Sequence, residues 1–375
     1  MKKLLIVLAA MFLCGNVNAT AWRVCSKPEA KADFSSVKAA VESNLVFAGD
    51  TLYIEPGHRE IQEVTINKKL HLIGPGYRFV ENDINAMDIN EAVFTRGVHL
   101  IRAYSSVQGC VFVGGLTLGP STTCIGNCIL NSGINLSGGE NDEGDNVDAV
   151  EVIVENNLIN VGLTNTAINS YYNASEGSVI ENNIICGRIN GYNYWGSPYS
   201  SVTFLNNTII AEGNGTEPIV RSLQSCSVHN NIIINTSTGF SRTQNSNQTY
   251  DTTWYRDFVL DAPASNGNSV SNNVFSCAPV GEYLNSVFNV RVEDVLIWNN
   301  ANSNEEKFKH KANGPAVGAG IGGATCGAYG AVSGNRPYTP AGIPQFRPYI
   351  YDASIDDTPS SNNTVNASFK IKVQQ

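Results

Sequence analysis

The chain has 375 residues, a net charge of -9 and an isoelectric point near 5.1, and only 15% of its residues are charged. No basic stripe is present that would neutralise nucleic-acid phosphates, so a nucleic-acid partner is not expected. The acidic balance also disfavours a strongly anionic substrate unless a cation mediates.

The N-terminus, residues 1–19, predicts a secretory signal peptide. Two lysines follow Met1, the apolar run from Leu4 to Leu13 is too short to span a bilayer, and Val17-Asn18-Ala19 offers a small-residue cleavage site. The bulky Leu13 before Cys14 disfavours lipidation. No later apolar run approaches ~18 residues, so we expect export without a membrane span.

Cleavage after Ala19 would remove one of the 9 cysteines. The rest contain no Cys-x-x-Cys pair and no Cys/His cluster with zinc spacing. Export permits disulfides, but most of these cysteines are expected to be small buried residues inside the fold. They are Cys25, Cys110, Cys124, Cys128, Cys186, Cys226, Cys277 and Cys326.

The first predicted element is a short amphipathic helix at residues 33–42, which opens with capping residues and continues with apolar side chains at helical spacing. Residues 49–57 predict a strand that ends in a turn, and residues 64–76 predict two more strands. A helix followed by short strands fits a cap that covers the first coil of a repetitive β structure.

A pair of asparagines followed by a short apolar run then recurs along the chain. The second asparagine stands at positions 157, 183, 207, 231 and 273, at intervals of 26, 24, 24 and 42 residues. A unit of about two dozen residues with short β-prone runs is typical of a solenoid. We therefore expect three short strands per coil, each paired in parallel with its equivalent one coil away.

The asparagine corner is predicted to continue toward the N-terminus as cysteines. Gly109-Cys110 aligns with Asn127-Cys128 at an offset of 18 residues, so Cys110 is expected to stack on Cys128, close enough for a bridge or a thiol contact. Asn300 could extend the column in the other direction. Because each amide can donate to one rung and accept from the other, the column is interpreted as scaffold and not as active site.

Two segments interrupt the period. Residues 141–148 form an acidic loop, and residues 236–257, which are polar and aromatic-bearing, should project from the coil and explain the longest interval. Residues 314–330 are Gly/Ala-rich and predict a terminal turn. A Pro-rich segment, residues 336–375, contains two predicted strands at 349–353 and 367–373, which would form a hairpin or a tether.

These features together resemble the right-handed parallel β-helix superfamily typified by pectate lyases, and more closely the exported β-helix-repeat proteins of Gram-negative bacteria. The matching features are the cap helix with residues 49–54, the strands at 64–67 and 72–76, the Asn-Asn-x-Ile rungs, and the small-residue stretches at 314–320 and 327–330. The resemblance covers roughly residues 22–335.

The resemblance implies an all-β protein. We expect a single-stranded right-handed parallel β-helix of roughly ten coils over residues 20–335, with an N-terminal capping helix and a short C-terminal β element. It also implies a secreted, periplasmic or cell-surface location. Substrates in this superfamily are usually polysaccharides, bound along the outer face of one sheet and the loops that flank it.

The strand that follows each Asn-Asn-x-Ile run would line that face. Alternation places Asn135, Asn169, Asn190 and Arg221 outward, and places Ile168 and Ile189 inward. Exposed aromatic rings beside amides suit sugars, because the rings stack on C–H faces while the hydroxyls bind polar groups. The alternative is that these rings cover the solenoid or pack under loops. The candidate sugar-binding residues are Tyr171, Asn190, Tyr192, Tyr194 and Trp195.

Two catalytic chemistries are open. Lyases of this superfamily commonly use Arg or Lys as the base, with calcium often neutralising the substrate carboxylate, and Arg221 is the best-placed candidate. Hydrolysis needs two carboxylates, and Asp257 and Asp261 stand just after the long insertion. The motif set of the polygalacturonase-like hydrolases is absent, which counts against that specific assignment.

The acidic loop supplies a candidate calcium site, since calcium takes several oxygens from such loops. Its spacing does not match an EF-hand, and the alternative is a solvated acidic run. The candidate ligands are Asp142, Glu143, Asp145 and Asp148. The five histidines form no set.

We therefore carry two hypotheses. The first is an exported protein that binds or cleaves a polysaccharide, with lyase favoured over hydrolase if it is an enzyme. The second is a non-catalytic surface scaffold or adhesin-like rod. The sequence leaves the glycan and the oligomeric state open.

Overall fold

The computed structural model describes residues 19–77, 91–141, 144–148, 150–170, 176–191, 199–213, 215–262, 264–278, 283–299, 306–330, 337–338, 348–355 and 367–373. The predicted signal peptide lies outside the described residues, apart from its last position. No helix in the described chain is long and apolar enough to cross a membrane.

Three parallel sheets, which we name A, B and C, wind along the described chain. Sheet A has 10 strands, sheet B has 9 and sheet C has 7 within the described residues. Successive strands of one coil enter A, then B, then C, and each pairs in parallel with the equivalent strand of the next coil. The predicted all-β parallel solenoid with three strands per coil is confirmed.

The strands of sheet A are Ala21–Val24, Thr51–Ile54, His71–Ile73, Ser106–Gln108, Thr123–Ile125, Ile153–Glu155, Val179–Glu181, Thr203–Leu205, Ser227–His229 and Ser269–Ser271. Those of sheet B are Arg59–Glu60, Val93–Phe94, Val111–Phe112, Cys128–Leu130, Leu158–Asn160, Ile184–Cys186, Thr208–Ala211, Ile232–Asn235 and Val274–Phe275. Those of sheet C are Val64–Ile66, Val98–Leu100, Leu116–Leu118, Ile134–Leu136, Thr166–Ser170, Arg188–Asn190 and Val220–Arg221.

Smaller elements decorate this solenoid. The remaining described strands pair two by two: Gly139–Glu140 with Asn146–Val147, Tyr199–Ser200 with Leu223–Gln224, Phe240–Gln244 with Tyr250–Trp254, and Pro348–Ile355 with Ala367–Val373. The α-helices are Val37–Glu42 and Val292–Val295. The 3₁₀ turns are Pro28–Ala30, Tyr255–Asp257, Ala264–Asn266, Glu306–Phe308 and Ile321–Gly323.

The predicted cap helix is present and begins at Val37, later than the sequence suggested. The Ser36 hydroxyl accepts from the Ala39 amide at 3.0 Å, which is an N-cap. The Val37 amide donates to the buried Glu60 carboxylate at 2.7 Å. Since its apolar face is buried against the first coils, the helix covers an end that would otherwise expose core.

The second asparagine of each pair forms the predicted inward ladder. The Asn183 Oδ1 accepts from the Asn157 amide at 2.9 Å and from its Nδ2 at 3.0 Å, while the Asn183 Nδ2 donates to the Val154 carbonyl at 2.8 Å. The first asparagine of each pair has a φ between 53° and 58°. Asparagine tolerates this left-handed conformation, so each pair turns the chain from sheet A into sheet B.

The predicted cysteine continuation is wrong by one residue. Cys110 donates its amide to Asn127 Oδ1 at 3.0 Å, whereas Cys128 pairs with Leu158 in sheet B. The column therefore runs from Cys110 to Asn127 and Asn157. Cys110 does not stack on Cys128, no bridge joins them, and every cysteine within the described residues is free and buried.

The physical reason is one extra residue in a turn. Val111 pairs with Cys128 in sheet B, but Leu116 pairs with Ile134 in sheet C, so the coils differ in length between these two sheets. Asn131, with a φ of 68°, lies in that turn. The offset of 18 therefore holds only for sheet C.

The C-terminal end of the ladder also differs from the expectation. The Asn273 amide donates to the Ser286 hydroxyl at 3.1 Å, so Ser286 receives this ladder hydrogen bond. Asn300, the predicted continuation, lies outside the described residues.

The segment predicted as a terminal turn instead packs on the outer face of sheet B. We name the described parts of residues 290–338 the strap. The Ala328 amide donates to the Thr208 hydroxyl at 3.0 Å, and the Tyr338 and Tyr77 hydroxyls share a buried hydrogen bond of 2.6 Å. One apolar cluster contains strap residues and outward-facing sheet B residues, among them Val111, Cys128, Leu158, Ile184, Ile232, Val295, Phe308 and Cys326. Sheet B is thus covered on both faces.

The predicted C-terminal β element is confirmed as an antiparallel pair of Pro348–Ile355 with Ala367–Val373. The boundary drawn at residue 335 between solenoid and C-terminal segment stays a prediction.

We predict that Asn183→Ala lowers the free energy of unfolding by about 3 kcal/mol, because it removes the three ladder hydrogen bonds that the Asn183 side chain makes with Asn157 and Val154 and leaves the buried Asn157 backbone amide without its acceptor. Urea unfolding followed by circular dichroism measures this change. Asn247→Ala, in the exposed hairpin loop, is the matched control and should unfold like the wild type. Equal midpoints for the two variants would contradict a stabilising ladder.

A second prediction concerns acid. Asp50 is 1% exposed and accepts from the Thr20 amide, the Trp22 indole and the Phe47 amide at 2.7, 2.9 and 2.9 Å. Burial by itself would raise the pKa of this carboxyl, but the three hydrogen bonds outweigh it and lower the pKa below its ordinary 3.8. The resulting stabilisation is present above about pH 4 and is lost as the pH falls through the folded-state pKa.

Asp50→Asn should therefore lower the melting temperature near neutral pH and flatten its decline between about pH 4 and pH 2. Differential scanning calorimetry across this range measures both effects. Asp251→Asn, at an exposed hairpin position, should keep the wild-type profile. If the melting temperature of Asp50→Asn fell as steeply as that of the wild type over this pH range, the lowered pKa of Asp50 would be refuted.

Candidate functional site

The outer face of sheet C carries a continuous row of polar side chains, one per coil. Strand register places them directly beside one another. Ile168 and Ile189 are fully buried, so the predicted alternation is confirmed. We name this row the polar column; its members are Thr65, His99, Thr117, Asn135, Asn169, Asn190 and Arg221.

The polar column ends at a cleft. A bridge between Val220 and Leu260 extends the face by one rung and brings Asp261 next to Arg221. Asp257 and Asp261 both line this cleft, whose volume is ≈ 640 Å³. The structure thus brings together the two carboxylates that the sequence suggested as a pair. The pKa of Tyr283, which also lines the cleft, is raised by burial and by the charge of Asp261.

Arg221, the candidate base, is held by other side chains. Its guanidinium pairs with Glu217 at 2.5 Å, and its Nε donates to Asn190 Oδ1 at 2.9 Å. An arginine neutralised by a carboxylate is a cation in a fixed position and not a free base. Asn190, a candidate sugar ligand, is therefore oriented by Arg221, and both face outward beside the cleft.

The long insertion forms an antiparallel hairpin whose residues are mostly exposed. The sequence predicted that this segment projects from the coil, but not that it forms a hairpin. Phe240 and Trp254 are cross-strand partners whose ring centroids lie 5.0 Å apart, and they are 44% and 38% exposed. Arg242 lies over the Phe240 ring and Arg256 over the Trp254 ring, each at 5.2 Å. The hairpin thus presents an aromatic and cationic surface, which we name the hairpin platform.

Asn235 fixes the base of the hairpin. Its Nδ2 donates to the Tyr255 and Phe258 carbonyls at 3.0 and 2.9 Å, and its Oδ1 accepts from the Gly213 and Ser237 amides at 3.1 and 3.0 Å. The backbone that carries Asp257 lies between two of these bonds. Asn235 therefore positions both the hairpin and one of the cleft carboxylates.

Cys277 lies at the back of the cleft but is not a nucleophile. Its Sγ donates to the Asp257 carbonyl at 3.1 Å. Burial, with a contribution from the Asp257 charge, raises the pKa of this thiol to about 12. It therefore remains protonated and fills space.

Sequence reasoning missed the hairpin platform and Asn235. The alternation of Phe240 and Arg242 opposite Trp254 could have revealed the platform, because residues two apart share a hairpin face. No local signal could have found Asn235, since its partners come from three separate segments.

Several candidate residues lie outside the described residues. These are the aromatic candidates Tyr171, Tyr192, Tyr194 and Trp195 and the calcium candidates Asp142 and Glu143. Asp145 and Asp148 flank the strand Asn146–Val147. Among the described residues no group of three or more His, Cys, Asp or Glu side chains is arranged to hold a metal ion, so the calcium site stays a prediction.

Searches of protein-family models and of curated proteins found no match to this chain.

Proposed function

We propose that this is an exported protein that binds a polysaccharide along the outer face of sheet C. The observation that carries the proposal is the polar column, which leads into the cleft at Asp257 and Asp261 beside the hairpin platform. The hydroxyls and amides of the polar column, at a rise of ~4.8 Å per coil, offer repeated hydrogen bonds to a linear polymer that lies along the axis.

The charges favour a neutral glycan. Two carboxylates line the cleft, and the whole chain carries a net charge of -9, so a polyanion would be repelled at close range. The exposed rings of the hairpin platform offer apolar faces on which sugar C–H groups can stack.

Binding is tested by affinity gel electrophoresis against a panel of soluble neutral and acidic polysaccharides. We predict that Trp254→Ala weakens binding about tenfold, the loss expected for one stacked ring. Tyr53→Ala is the matched control, because Tyr53 is 45% exposed but lies on sheet A. If the protein migrates through every polysaccharide gel at the same rate as a non-binding reference protein, the proposal is refuted and a scaffold is favoured.

Hydrolysis is the second candidate function, and the shared cleft of Asp257 and Asp261 favours it. The sequence favoured a lyase, but the ion pair of Arg221 with Glu217 disfavours Arg221 as the base. One carboxylate would protonate the leaving oxygen, and the other would act as nucleophile or as base for water.

We predict that Asp257→Asn and Asp261→Asn each lower reducing-end release from a bound glycan by about 100-fold or more, while leaving binding nearly intact. Asp251→Asn, on the exposed hairpin strand, is the control. A gain in near-ultraviolet absorbance would show the unsaturated product of a lyase instead. Binding without either product would establish a non-catalytic binding protein.

A further inference from the structure

Parallel register pairs histidines with hydroxyl groups on neighbouring rungs. Among the described residues, three of these cross-strand pairs are hydrogen-bonded. In each case the histidine Nδ1 lies within hydrogen-bonding distance of the hydroxyl oxygen. The pairs are His71 with Ser106 at 2.8 Å, His99 with Thr117 at 2.9 Å and His229 with Ser271 at 3.0 Å.

The His99 pair differs from the other two because a carboxylate completes it. The His99 Nε2 lies 3.0 Å from Glu63 Oε1. Gly97 makes room for this contact, since a Cβ at that position would lie only 3.1 Å from the same Nε2. Within the described chain, no carboxylate partner faces the second ring nitrogen of His71 or His229.

The donor and acceptor roles in the hydrogen bonds that join Glu63, His99 and Thr117 follow from the Glu63 carboxylate. An ionised Glu63 can only accept, so the proton of His99 belongs on Nε2. The Nδ1 is then an acceptor and receives the Thr117 hydroxyl hydrogen. An acid that orients a histidine, which in turn accepts from a hydroxyl, is the arrangement that activates a hydroxyl nucleophile.

The surroundings admit a substrate. Thr117 and His99 face outward on sheet C and are partly exposed. Asn135 is the cross-strand partner of Thr117 on the other side from His99, and its amide can donate a hydrogen bond to an oxyanion formed beside Thr117. Acid, base, nucleophile and donor therefore stand on neighbouring rungs of one face.

We propose that Glu63, His99 and Thr117 form an acyl-transfer site that hydrolyses esters of small carboxylic acids. The Thr117 oxygen attacks the ester carbonyl while its proton passes to His99 Nδ1. The carbon–oxygen bond to the alcohol then breaks, and the alcohol leaves with that proton. Water, deprotonated by His99, attacks the acyl-threonine and releases the acid, which restores the threonine hydroxyl. Glu63 acts through His99 and is a positioning residue.

The proposed esterase site shares His99, Thr117 and Asn135 with the polar column, but its chemistry does not use the cleft and its test needs no glycan. Its residues lie on the first coils of sheet C, whereas Asp257 and Asp261 follow the last strand of that sheet. Failure of either proposal therefore leaves the other standing.

The test is release of p-nitrophenol from p-nitrophenyl acetate by the full mature chain. Thr117→Val, which keeps the shape of the side chain, and His99→Asn should each lower kcat about 100-fold or more, and Thr117→Ser should retain activity. Glu63→Gln should lower kcat and leave KM unchanged. Ser106→Ala, which breaks the His71 pair that has no acid, is the matched control and should behave like the wild type.

A fluorophosphonate probe gives a second readout. We expect the label on Thr117 by peptide mass spectrometry and its loss in His99→Asn, with unchanged circular dichroism. Hydrolysis by Thr117→Val at the wild-type rate would overturn the proposal. So would a wild-type rate equal to that of a mixture of free imidazole and acetate at the same concentration.

Discussion

The ladder of buried asparagines is the constraint on which the rest of the structure depends. A primary amide in an apolar interior must satisfy both its donors and its acceptor. Between Asn157 and Asn183 this is possible only when successive coils keep one registry at the corner between sheets A and B. Because this corner is fixed, equivalent strand residues of successive coils stack in columns. Each strand therefore has an inner row, which is apolar, and an outer row.

The outer rows of sheets B and C differ in burial. The strap buries the outer row of sheet B, which explains why strands such as Ile184–Cys186 are apolar on both faces. A strand covered on both sides has no alternation, and the sequence shows none there. Sheet C keeps its alternation, and its outer row is polar and partly exposed. The candidate sites therefore fall on sheet C for a reason of packing.

The sequence predicted what repeats. The period gave the solenoid, and alternation gave the outward direction of Asn169 and Asn190. The prediction failed where coils differ in length, as at Asn131. The turn there holds one added residue, so an alignment based on sheet C pairs Cys128 with Cys110, whereas its partner in sheet B is Val111. It also failed where distant segments meet, as in the strap and the cleft. Local patterns carry no information about which segment covers which.

The same stacking changes how a functional set should be sought in a solenoid. Residues that meet on one face are separated by whole coils, so Glu63, His99 and Thr117 stand 36 and 18 residues apart and share no local motif. The five histidines form no cluster among themselves. The partners of His99 are instead a carboxylate and a hydroxyl that lie on neighbouring coils. The period that defines the fold is thus also the spacing at which its chemistry must be looked for.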